Sequence, residues 1–316
     1  MKVFGILRRG STQSIDRLEY KKIHKKIEFI RCDLSEFQTI DEYIRNIKPD
    51  YFYNLGAQSF VQYSFENPFY TFKINSEAVL NILETLRRNN RKCKFYQAST
   101  SEMFGNTNFN KKNLIDFNSK FNPCSPYAIS KLSAHQLVKL YRESYNLYAC
   151  SGILFNHESP LRGKEFVTKK IIENLVNQKL NKGDILKLGN LNSMRDWGHA
   201  DDYVDAMIKM MSMQKADDYI ISTGKAYSIR NFFLIVAKKL GFNPKFIGRG
   251  KNEFCIDKNS NKKIMIVDKK YYRDNELYTL RGDSYKSEKK LKWKRKYNLN
   301  LMIDEMIDFE MNKIKI

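Results

Sequence analysis

Short apolar runs alternate with amphipathic segments through the first half of the chain. Strands are predicted where the runs are brief and bounded by polar residues, at residues 3–7, 26–31, 51–55, 94–98 and 148–155. Helices are predicted where apolar residues recur at helical spacing, at residues 40–47, 71–89 and 127–145. Strands that alternate with helices of this length imply right-handed crossovers, which favour a parallel sheet of the α/β class.

The second half of the chain is less regular. Helices are predicted at residues 167–179, 228–240 and 299–312, and strands at residues 185–189 and 218–222. Ser228 precedes one of these helices and has a side chain suited to capping its first turn. No internal repeat and no low-complexity linker divides the chain into independent domains.

The composition is that of a globular protein with a large core, since 42% of the 316 residues are hydrophobic and 29% are charged. The charge balance is basic, with 56 Lys and Arg against 35 Asp and Glu. A nucleic-acid binder needs such cations in clusters, whereas compositional drift spreads them along the chain. Here they are spread, with only short runs such as Lys21-Lys22, so we favour drift and predict no nucleic-acid partner. The excess would still attract an anionic nucleotide substrate.

The cysteines and histidines argue against disulfide and metal chemistry. The five cysteines have no metal-like spacing, and their odd number argues against a disulfide framework. The four histidines are scattered and predict no zinc site. The apolar run at the N-terminus is too short for a signal peptide, and no stretch approaches the roughly 20 apolar residues of a membrane helix. We therefore predict a cytoplasmic protein with reduced thiols, no metal and no membrane partner.

Tyr127 and Lys131 are the first candidates for catalysis. They stand four residues apart at the start of a predicted helix and therefore share one face. A tyrosine serves as a general acid or base only if its pKa falls well below about 10, and a nearby ammonium lowers it. The pair alone is a weak signal, because an exposed Lys above a packed Tyr arises by chance in many helices.

Polar residues at the ends of two predicted strands strengthen this interpretation. The strand at 94–98 leads into Thr100 and Glu102, and parallel sheets place their sites at the carboxyl ends of strands. We therefore expect these side chains to face the same crevice as Tyr127. The alternative is an ordinary polar exit from a strand. The strand at 148–155 is likewise followed by His157, which taken alone would be a structural histidine.

Taken together, these segments resemble the GDP-mannose 4,6-dehydratase family of extended short-chain dehydrogenases/reductases. The resemblance rests on residues 53–59, 96–102, 125–128, 141–145, 152–160, 195–200 and 281–283. It covers nearly the whole chain and is much more specific than the tyrosine–lysine pair. Related glucose-nucleotide dehydratases usually carry Thr-Asp-Glu where this chain has Thr100, Ser101 and Glu102, which favours the GDP-mannose branch.

The resemblance implies a fold and an organisation. A Rossmann-like, doubly wound parallel sheet would occupy residues 1–162 and bind the cofactor. A smaller substrate-binding lobe would occupy most of residues 163–316, with some segments returning to the first domain. A homodimer or homotetramer is also implied.

The resemblance further implies an internal redox cycle with tightly bound NADP. GDP-mannose would lose water to give GDP-4-dehydro-6-deoxy-mannose, the first step towards deoxyhexoses such as GDP-fucose. Tyr127 would take the proton of sugar O4, Thr100 would position that oxygen, and Glu102 would remove the C5 proton and help the C6 hydroxyl leave. Lys131 would bind the nicotinamide ribose and lower the pKa of Tyr127.

Cofactor and substrate contacts follow from the resemblance position by position. Arg8 and Arg9 would hold the 2′-phosphate of NADP, because a guanidinium grips a phosphate with two bonds. The other expected cofactor residues are Asp33, Leu34, Leu55, Gly56, Ala57, Gln58, Ser59, Tyr70, Tyr127, Lys131, His157 and Arg162. The expected GDP-sugar contacts are Asn156, Val167, Lys170, Arg195, Arg273 and Glu276. For Arg195 and Arg273 a structural ion pair is the alternative role.

The beginning of the chain departs from the family. Family members start with a strand, a G-x-x-G-x-x-G turn and a helix, whereas residues 3–7 resemble their second strand and no such turn occurs. That turn brings backbone N–H groups to the cofactor pyrophosphate. Losing the strand would leave a gap in the sheet or force its neighbours to pair directly. A misplaced start, a degenerate copy and completion by another polypeptide are all open explanations, and the intact catalytic residues argue against long decay.

Two other functions fit parts of the sequence. One is a different nucleotide-sugar epimerase, dehydratase or reductase, and Glu102 discriminates against it because only a 4,6-dehydratase needs an acid/base for C5 and C6. The other is an inactive truncated homologue or a basic scaffold that binds nucleic acid, suggested by the net charge of +21 and the missing glycine turn.

Overall fold

The computed structural model describes residues 1–8, 15–106, 114–272 and 279–313. Backbone proximity divides the chain into two compact units. The first comprises Met1–Ser99, Ser125–Gly152 and Met211–Asp218, and the second comprises Thr100–Cys124, Ile153–Met210 and Tyr219–Ile316. The functional boundary predicted at residue 162 stays a prediction.

Helices and strands alternate along the described residues. The helices are α1 (Asp16–Tyr20), α2 (Phe37–Ile47), α3 (Val61–Glu66), α4 (Pro68–Phe72), α5 (Ala78–Asn89), α6 (Pro126–Tyr145), α7 (Val167–Lys179), α8 (Ala200–Ser212), α9 (Ile229–Lys239), α10 (Tyr285–Leu291) and α11 (Leu299–Lys313). The strands are β1 (Phe4–Leu7), β2 (Glu28–Arg31), β3 (Tyr51–Asn54), β4 (Lys94–Thr100), β5 (Ala149–Leu154), β6 (Asn156–Glu158), β7 (Leu186–Leu188), β8 (Met194–His199), β9 (Asp218–Ile221), β10 (Ala226–Ser228), β11 (Pro244–Ile247), β12 (Phe254–Asp257), β13 (Lys263–Val267) and β14 (Thr279–Leu280).

One four-stranded sheet contains the strands that lead into the predicted functional residues. Its order is β3-β4-β5-β9, and β3 pairs with β4 in parallel, with Asn54 opposite Gln97. The two side chains also join, since Asn54 Nδ2 donates to Gln97 Oε1 at 2.9 Å. Small and apolar residues fill β5 because it is buried along its whole length. The predicted α/β class with parallel strands is confirmed.

The strands β1 and β2 form a separate parallel pair. Phe4 lies opposite Glu28 and Leu7 opposite Arg31. Within the described part of the chain, neither strand pairs with β3. Direct pairing across the position predicted for the missing strand therefore does not occur.

The core of the first unit fixes α6 in place. Ile40 and Ile44 of α2, Ile82 of α5 and Val138 of α6 are all at most 3% exposed and belong to one cluster. Burying an aliphatic side chain of this size contributes about 1.5–3 kcal/mol. The apolar face from which α6 was predicted therefore anchors this helix, which bears Tyr127, in the core.

The helix predicted over residues 71–89 is longer than expected and is irregular. It runs through α4, the π-helical segment Lys73–Glu77 and α5 without a break. Pro68 occupies the first turn, where its missing N–H costs nothing, and Asn67 Oδ1 accepts a hydrogen bond from the Tyr70 N–H. The apolar spacing does not reveal the π turn, because a single irregular turn is too short to show a period of its own.

The second unit contains two further sheets. One has the order β10-β8-β14, with β6 also paired to β8, and the other has the order β11-β12-β13-β7. Trp197, Phe232 and Met306 belong to the core of this unit, where α7, α9 and α11 pack together. A buried ion pair between Lys169 and Glu310 ties α7 to α11. This packing accounts for the amphipathic pattern that predicted the last helix.

Several elements were not predicted from the sequence. The strands β6, β8 and β10–β13 are short, and their residues alternate too briefly to be told from loops. Helix α8 is different, because Tyr203, Ala206 and Met210 are buried at helical spacing and would have predicted it. Among the helices described, none is both long and apolar enough to cross a membrane.

Candidate active site

The start of α6 presents Tyr127 and Lys131. Ser125 caps the helix, since its Oγ accepts a hydrogen bond from the Ala128 N–H at 3.1 Å, and Pro126 follows it in the first turn. Tyr127 follows Pro126 in the same turn, Lys131 lies one turn further along, and the two are 8% and 4% exposed. Burial lowers the pKa of Lys131 to about 8, because desolvation disfavours its charged form. The predicted tyrosine–lysine arrangement on one helical face is present.

In the second unit, Thr100 and Glu102 lie together at the end of β4. Thr100 is the last residue of the strand, and its Oγ1 accepts a hydrogen bond from the Glu102 N–H at 3.2 Å. This bond caps the 3-10 turn Ser101–Phe104 and directs the chain sharply away from the sheet. Gly105 completes the turn with φ of +54°, and a Cβ there would lie 1.8 Å from the Asn122 carbonyl oxygen. Only glycine fits this position.

Four of the expected cofactor residues of the first unit lie in contact as two pairs. Arg8 Nη1 donates to the Tyr70 hydroxyl at 3.4 Å, and this bond raises the pKa of Arg8. Leu34 lies against Gly56, where a Cβ would approach its Cδ1 to 2.5 Å. The structure thus brings together residues that are 62 and 22 positions apart in the sequence. Arg9 lies outside the described residues.

Gln58 and Asp33 make different contacts. The side-chain Oε1 of Gln58 is buried and has no hydrogen-bond partner among the described residues. Asp33 instead holds its own turn, since its Oδ1 accepts from the N–H and the hydroxyl of Ser35. An acceptor oxygen without a partner fits a ligand hydroxyl, whereas the Asp33 carboxylate is already engaged.

His157 and Arg162 have local partners in the second unit. His157 Nδ1 lies 3.0 Å from the Phe155 carbonyl oxygen, and burial lowers the pKa of the imidazole. A neutral ring that donates from Nδ1 leaves Nε2 as an acceptor. Arg162 pairs with the Glu158 carboxylate at 3.1 Å and stacks on the Phe166 ring. Their expected cofactor contacts stay predictions.

The expected substrate residues of the second unit lie on three elements. Asn156 begins β6, Val167 and Lys170 lie in the first turn of α7, and Arg195 lies on β8. The Lys170 ammonium sits 3.7 Å from the centre of the Tyr271 ring, and Arg195 Nη1 donates to the Met194 carbonyl. Arg273 and Glu276 lie outside the described residues.

Asp196 is a structural residue that the sequence analysis left without a role. Its carboxylate accepts hydrogen bonds from the N–H and hydroxyl of Thr223 and from the N–H groups of Gly224 and Gly282. Burial raises its pKa to about 6 in spite of these donors. The carboxylate therefore ties β8, which carries Arg195, to two neighbouring turns. Its place inside the motif at 195–200 was the signal that could have identified it.

The parallel sheet and the helix that bears Tyr127 and Lys131 define an α/β protein of the Rossmann type. A dTDP-glucose 4,6-dehydratase from Streptomyces venezuelae has this fold, with a TM-score of 0.80 and 18% identity over 98% of this chain and 88% of that chain. RMD from Pseudomonas aeruginosa, solved with NADPH, also has it, with a TM-score of 0.77 and 17% identity over 99% of this chain and 100% of that chain. At these identities the likeness is one of fold alone.

Sequence similarity narrows the class to one family. The family model described as GDP-mannose 4,6 dehydratase matches residues 1–306. A GDP-mannose 4,6-dehydratase from Yersinia enterocolitica is 37% identical over 99% of this chain and 88% of its own length. The chain therefore belongs to the GDP-mannose 4,6-dehydratase family, and the predicted resemblance is confirmed.

Proposed function

We propose that this chain is a hydro-lyase that converts GDP-mannose to GDP-4-dehydro-6-deoxy-mannose with bound NADP. The similarity to a GDP-mannose 4,6-dehydratase over 99% of the chain carries the proposal. It is supported by the four residues expected to perform the reaction, since Thr100, Glu102, Tyr127 and Lys131 are all present in the expected elements.

The first unit has a donor and acceptor set that suits a nicotinamide dinucleotide. The unpartnered Oε1 of Gln58 would accept from a ribose hydroxyl, and the Leu34 side chain packs where a side chain at Gly56 would lie. Arg8, exposed beside the Tyr70 hydroxyl, would hold a 2′-phosphate, which favours NADP over NAD. Lys131 would donate to the nicotinamide ribose. Bound NADP would supply hydride-transfer chemistry between C4 and C6 of the sugar.

The chain's own residues would handle the protons. Tyr127, assisted by the Lys131 ammonium, would take the O4 proton while Thr100 holds that oxygen by a hydrogen bond. The resulting C4 ketone makes the C5 hydrogen acidic. Glu102 would remove the C5 proton and donate a proton to the C6 hydroxyl, so that water leaves, and a proton would return to C5 as the hydride reaches C6. No net oxidation occurs over this cycle.

The second unit would hold the GDP-sugar. Arg195 suits the diphosphate as a fixed cation, and Lys170 suits acceptor oxygens of the base. Asn156 and Val167 would complete the described part of that site, together with Arg273 and Glu276. The Asp196 hydrogen bonds support this role for β8, because they hold the strand that bears Arg195.

The expected location and oligomeric state remain part of the proposal. All five cysteines are free, and burial raises the pKa values of Cys93, Cys150 and Cys255 to about 12, which suits unreactive thiols in the reducing cytoplasm. Phe65, Phe69 and other apolar side chains on α3–α6 are exposed and would be covered in a homodimer or homotetramer. Sedimentation velocity would measure the assembly.

The Glu102→Gln variant tests the reaction assigned to this chain. The wild type should convert GDP-mannose to a product that has lost one water, detected by mass spectrometry. The variant should lose at least about a thousandfold in dehydration, because proton transfer at C5 and C6 needs the carboxyl, yet it should still reduce bound NADP on adding substrate. Glu143→Gln, an exposed change on α6, serves as the control. Normal dehydration by Glu102→Gln would overturn the assignment, and an epimerised product from the wild type would favour an epimerase.

A further inference from the structure

The guanidinium group of Arg162 is held on two sides within the second unit. Its Nε lies 3.1 Å from the Glu158 carboxylate, and its central carbon lies 3.5 Å from the centre of the Phe166 ring. The two nitrogens at the tip of the group have no hydrogen-bond partner in the part of the chain that the structure describes, and the side chain is 21% exposed. A planar fork that is fixed at its base and unpartnered at its tip is set to donate two bonds to an anionic ligand.

The carboxylate that holds Arg162 is also bonded to α7. Glu158 is the last residue of β6 and is 2% exposed. The oxygen that faces Arg162, Oε2, also accepts a hydrogen bond from the Thr168 hydroxyl at 2.5 Å, and Thr168 is 1% exposed. Removing a carboxylate from water is costly, and apolar side chains could fill the same space without that cost. The buried charge therefore indicates a use beyond packing.

The next residue of α7 holds the loop that joins Glu158 to Arg162. Lys169 Nζ donates to the Pro160 carbonyl at 2.6 Å and also pairs with the Glu310 carboxylate of α11. Lys169 and Glu310 are 4% and 2% exposed, so water does not compete for these contacts. The loop is therefore fixed to α7 at its middle as well as at Glu158, which limits how far Arg162 can move.

We propose that Glu158 is a positioning residue that orients Arg162 towards an anionic group of the cofactor and joins it to the first turn of α7. The proposal rests on the proposed function and on the cofactor contact expected of Arg162. Glu158 would touch neither ligand and would act through Arg162 and Thr168. Thr168 lies in the same turn as Val167 and Lys170, which are half-buried and are expected to contact the GDP-sugar. Because one carboxylate oxygen serves both partners, cofactor and GDP-sugar should strengthen each other's binding.

The Glu158→Gln variant tests this role through the affinity for NADPH, measured by calorimetry with and without saturating GDP. The amide keeps the shape of the side chain and an acceptor for the Thr168 hydroxyl, but it loses the charge that orients Arg162. NADPH should therefore bind about tenfold more weakly. Thr168→Val removes only the bond to α7. It should leave the affinity for NADPH alone nearly unchanged, while the roughly fivefold tightening that GDP produces in the wild type should disappear.

A second buried ion pair of the same unit supplies a matched control. The Glu253 carboxylate is 8% exposed and pairs with Arg230, whose guanidinium stacks on the Phe246 ring. None of these residues is expected to touch a ligand, so Glu253→Gln should lower stability without changing NADPH affinity or its response to GDP. Glu158→Asp keeps the charge but draws it back from Arg162, so it should fold and show an intermediate loss of NADPH affinity.

A double variant separates positioning from general destabilisation. In an Arg162→Met background, Glu158→Gln should weaken NADPH binding no further, because Glu158 acts through Arg162. The proposal is overturned if Glu158→Gln and Glu158→Asp match Glu253→Gln in NADPH affinity, or if Glu158→Gln weakens binding equally in both backgrounds. A GDP effect that survives Thr168→Val would overturn the link to α7. If the wild type binds NADPH but leaves GDP-mannose unchanged, the proposed function fails while these affinities still decide the role of Glu158, and a wild type that binds no NADPH overturns both.

Discussion

At the scale of single residues, the buried charge of Lys131 lowers the stability of the folded state. Its ammonium is 4% exposed, and burial lowers its pKa from 10.5 to about 8. Below pH 8 the group is charged in both the folded and the unfolded chain, so the folded state carries the desolvation penalty. The role proposed for Lys131 in cofactor binding and catalysis would explain why the charge is retained although it destabilises the fold.

Replacing Lys131 by Met should therefore stabilise the cofactor-free protein while abolishing activity. At pH 7 the free energy of unfolding should rise by up to roughly 3 kcal/mol, the equivalent of the pKa change. Between pH 8 and 10.5 the folded wild type releases its proton before the unfolded chain does, so its stability should increase towards that of the variant. Urea denaturation at pH 7 and pH 10 measures both effects. Lys139→Met, an exposed change on the same helix, should show neither, and equal behaviour of the two variants would contradict the account.

The sequence could point to candidate residues, whereas it could not predict most of the contacts that those residues make. The sequence motifs point to Thr100, Glu102, Tyr127 and Lys131. A hydrogen bond joins Thr100 to Glu102 in the second unit, and Tyr127 and Lys131 lie on one helix in the first unit. That all four meet in one crevice stays a prediction. The motif could point to Asp196 but not to its partners, because Thr223 lies 27 residues away and no local pattern reveals that contact.

At the scale of secondary-structure elements, capping residues determine where helices begin, and apolar faces determine how the helices pack. Ser125 and Ser228 each accept a hydrogen bond from the N–H three residues later, and Ser228 had been predicted as a cap. Helix α6 was predicted nearly to its ends because its apolar face and its Ser-Pro start agree. The strands of the second unit escaped prediction, since three- to six-residue strands have too few positions to show a period.

The two caps offer a matched comparison. Ser125→Ala and Ser228→Ala should each lower the free energy of unfolding by about 1 kcal/mol, because each leaves one helical N–H without its partner. Only Ser125→Ala should also lower kcat, by a few-fold, since the turn it caps carries Tyr127. Chemical denaturation and steady-state kinetics on both variants measure these effects. A similar kcat for the two would show that the cap does not position the tyrosine.

At the scale of the whole molecule, the basic charge and the fold have separate consequences. The alternation of strands and helices predicted a parallel α/β protein, and the fold bears this out. The sequence pattern could not predict how the chain partitions, because segments distant in sequence, such as Met211–Asp218, join the first unit. The net charge of +21 acts through the electrostatic field around the molecule and says nothing about the fold.

That charge should make substrate capture sensitive to salt. The KM for GDP-mannose should rise several-fold between low and physiological ionic strength, because salt screens the attraction between a cationic surface and an anionic nucleotide. The value of kcat should stay nearly constant, since salt screens the approach of the substrate and not the steps that follow its binding. Kinetics in increasing KCl measure this, with sucrose of equal osmolality as the control. A KM independent of salt would show that the surplus cations do not act on the substrate.

The path of hydrogen during turnover tests the assigned reaction most directly. GDP-mannose labelled with deuterium at C4 would be incubated with the full chain and NADP in ordinary water, and the product examined by NMR and mass spectrometry. The account predicts a 4-keto-6-deoxy product that carries the deuterium at C6 and has gained a solvent hydrogen at C5, because the hydride moves within one active site while Glu102 exchanges its proton. Recovery of the label at C4 of an epimer, or a dehydrated product with the label lost to water, would contradict it.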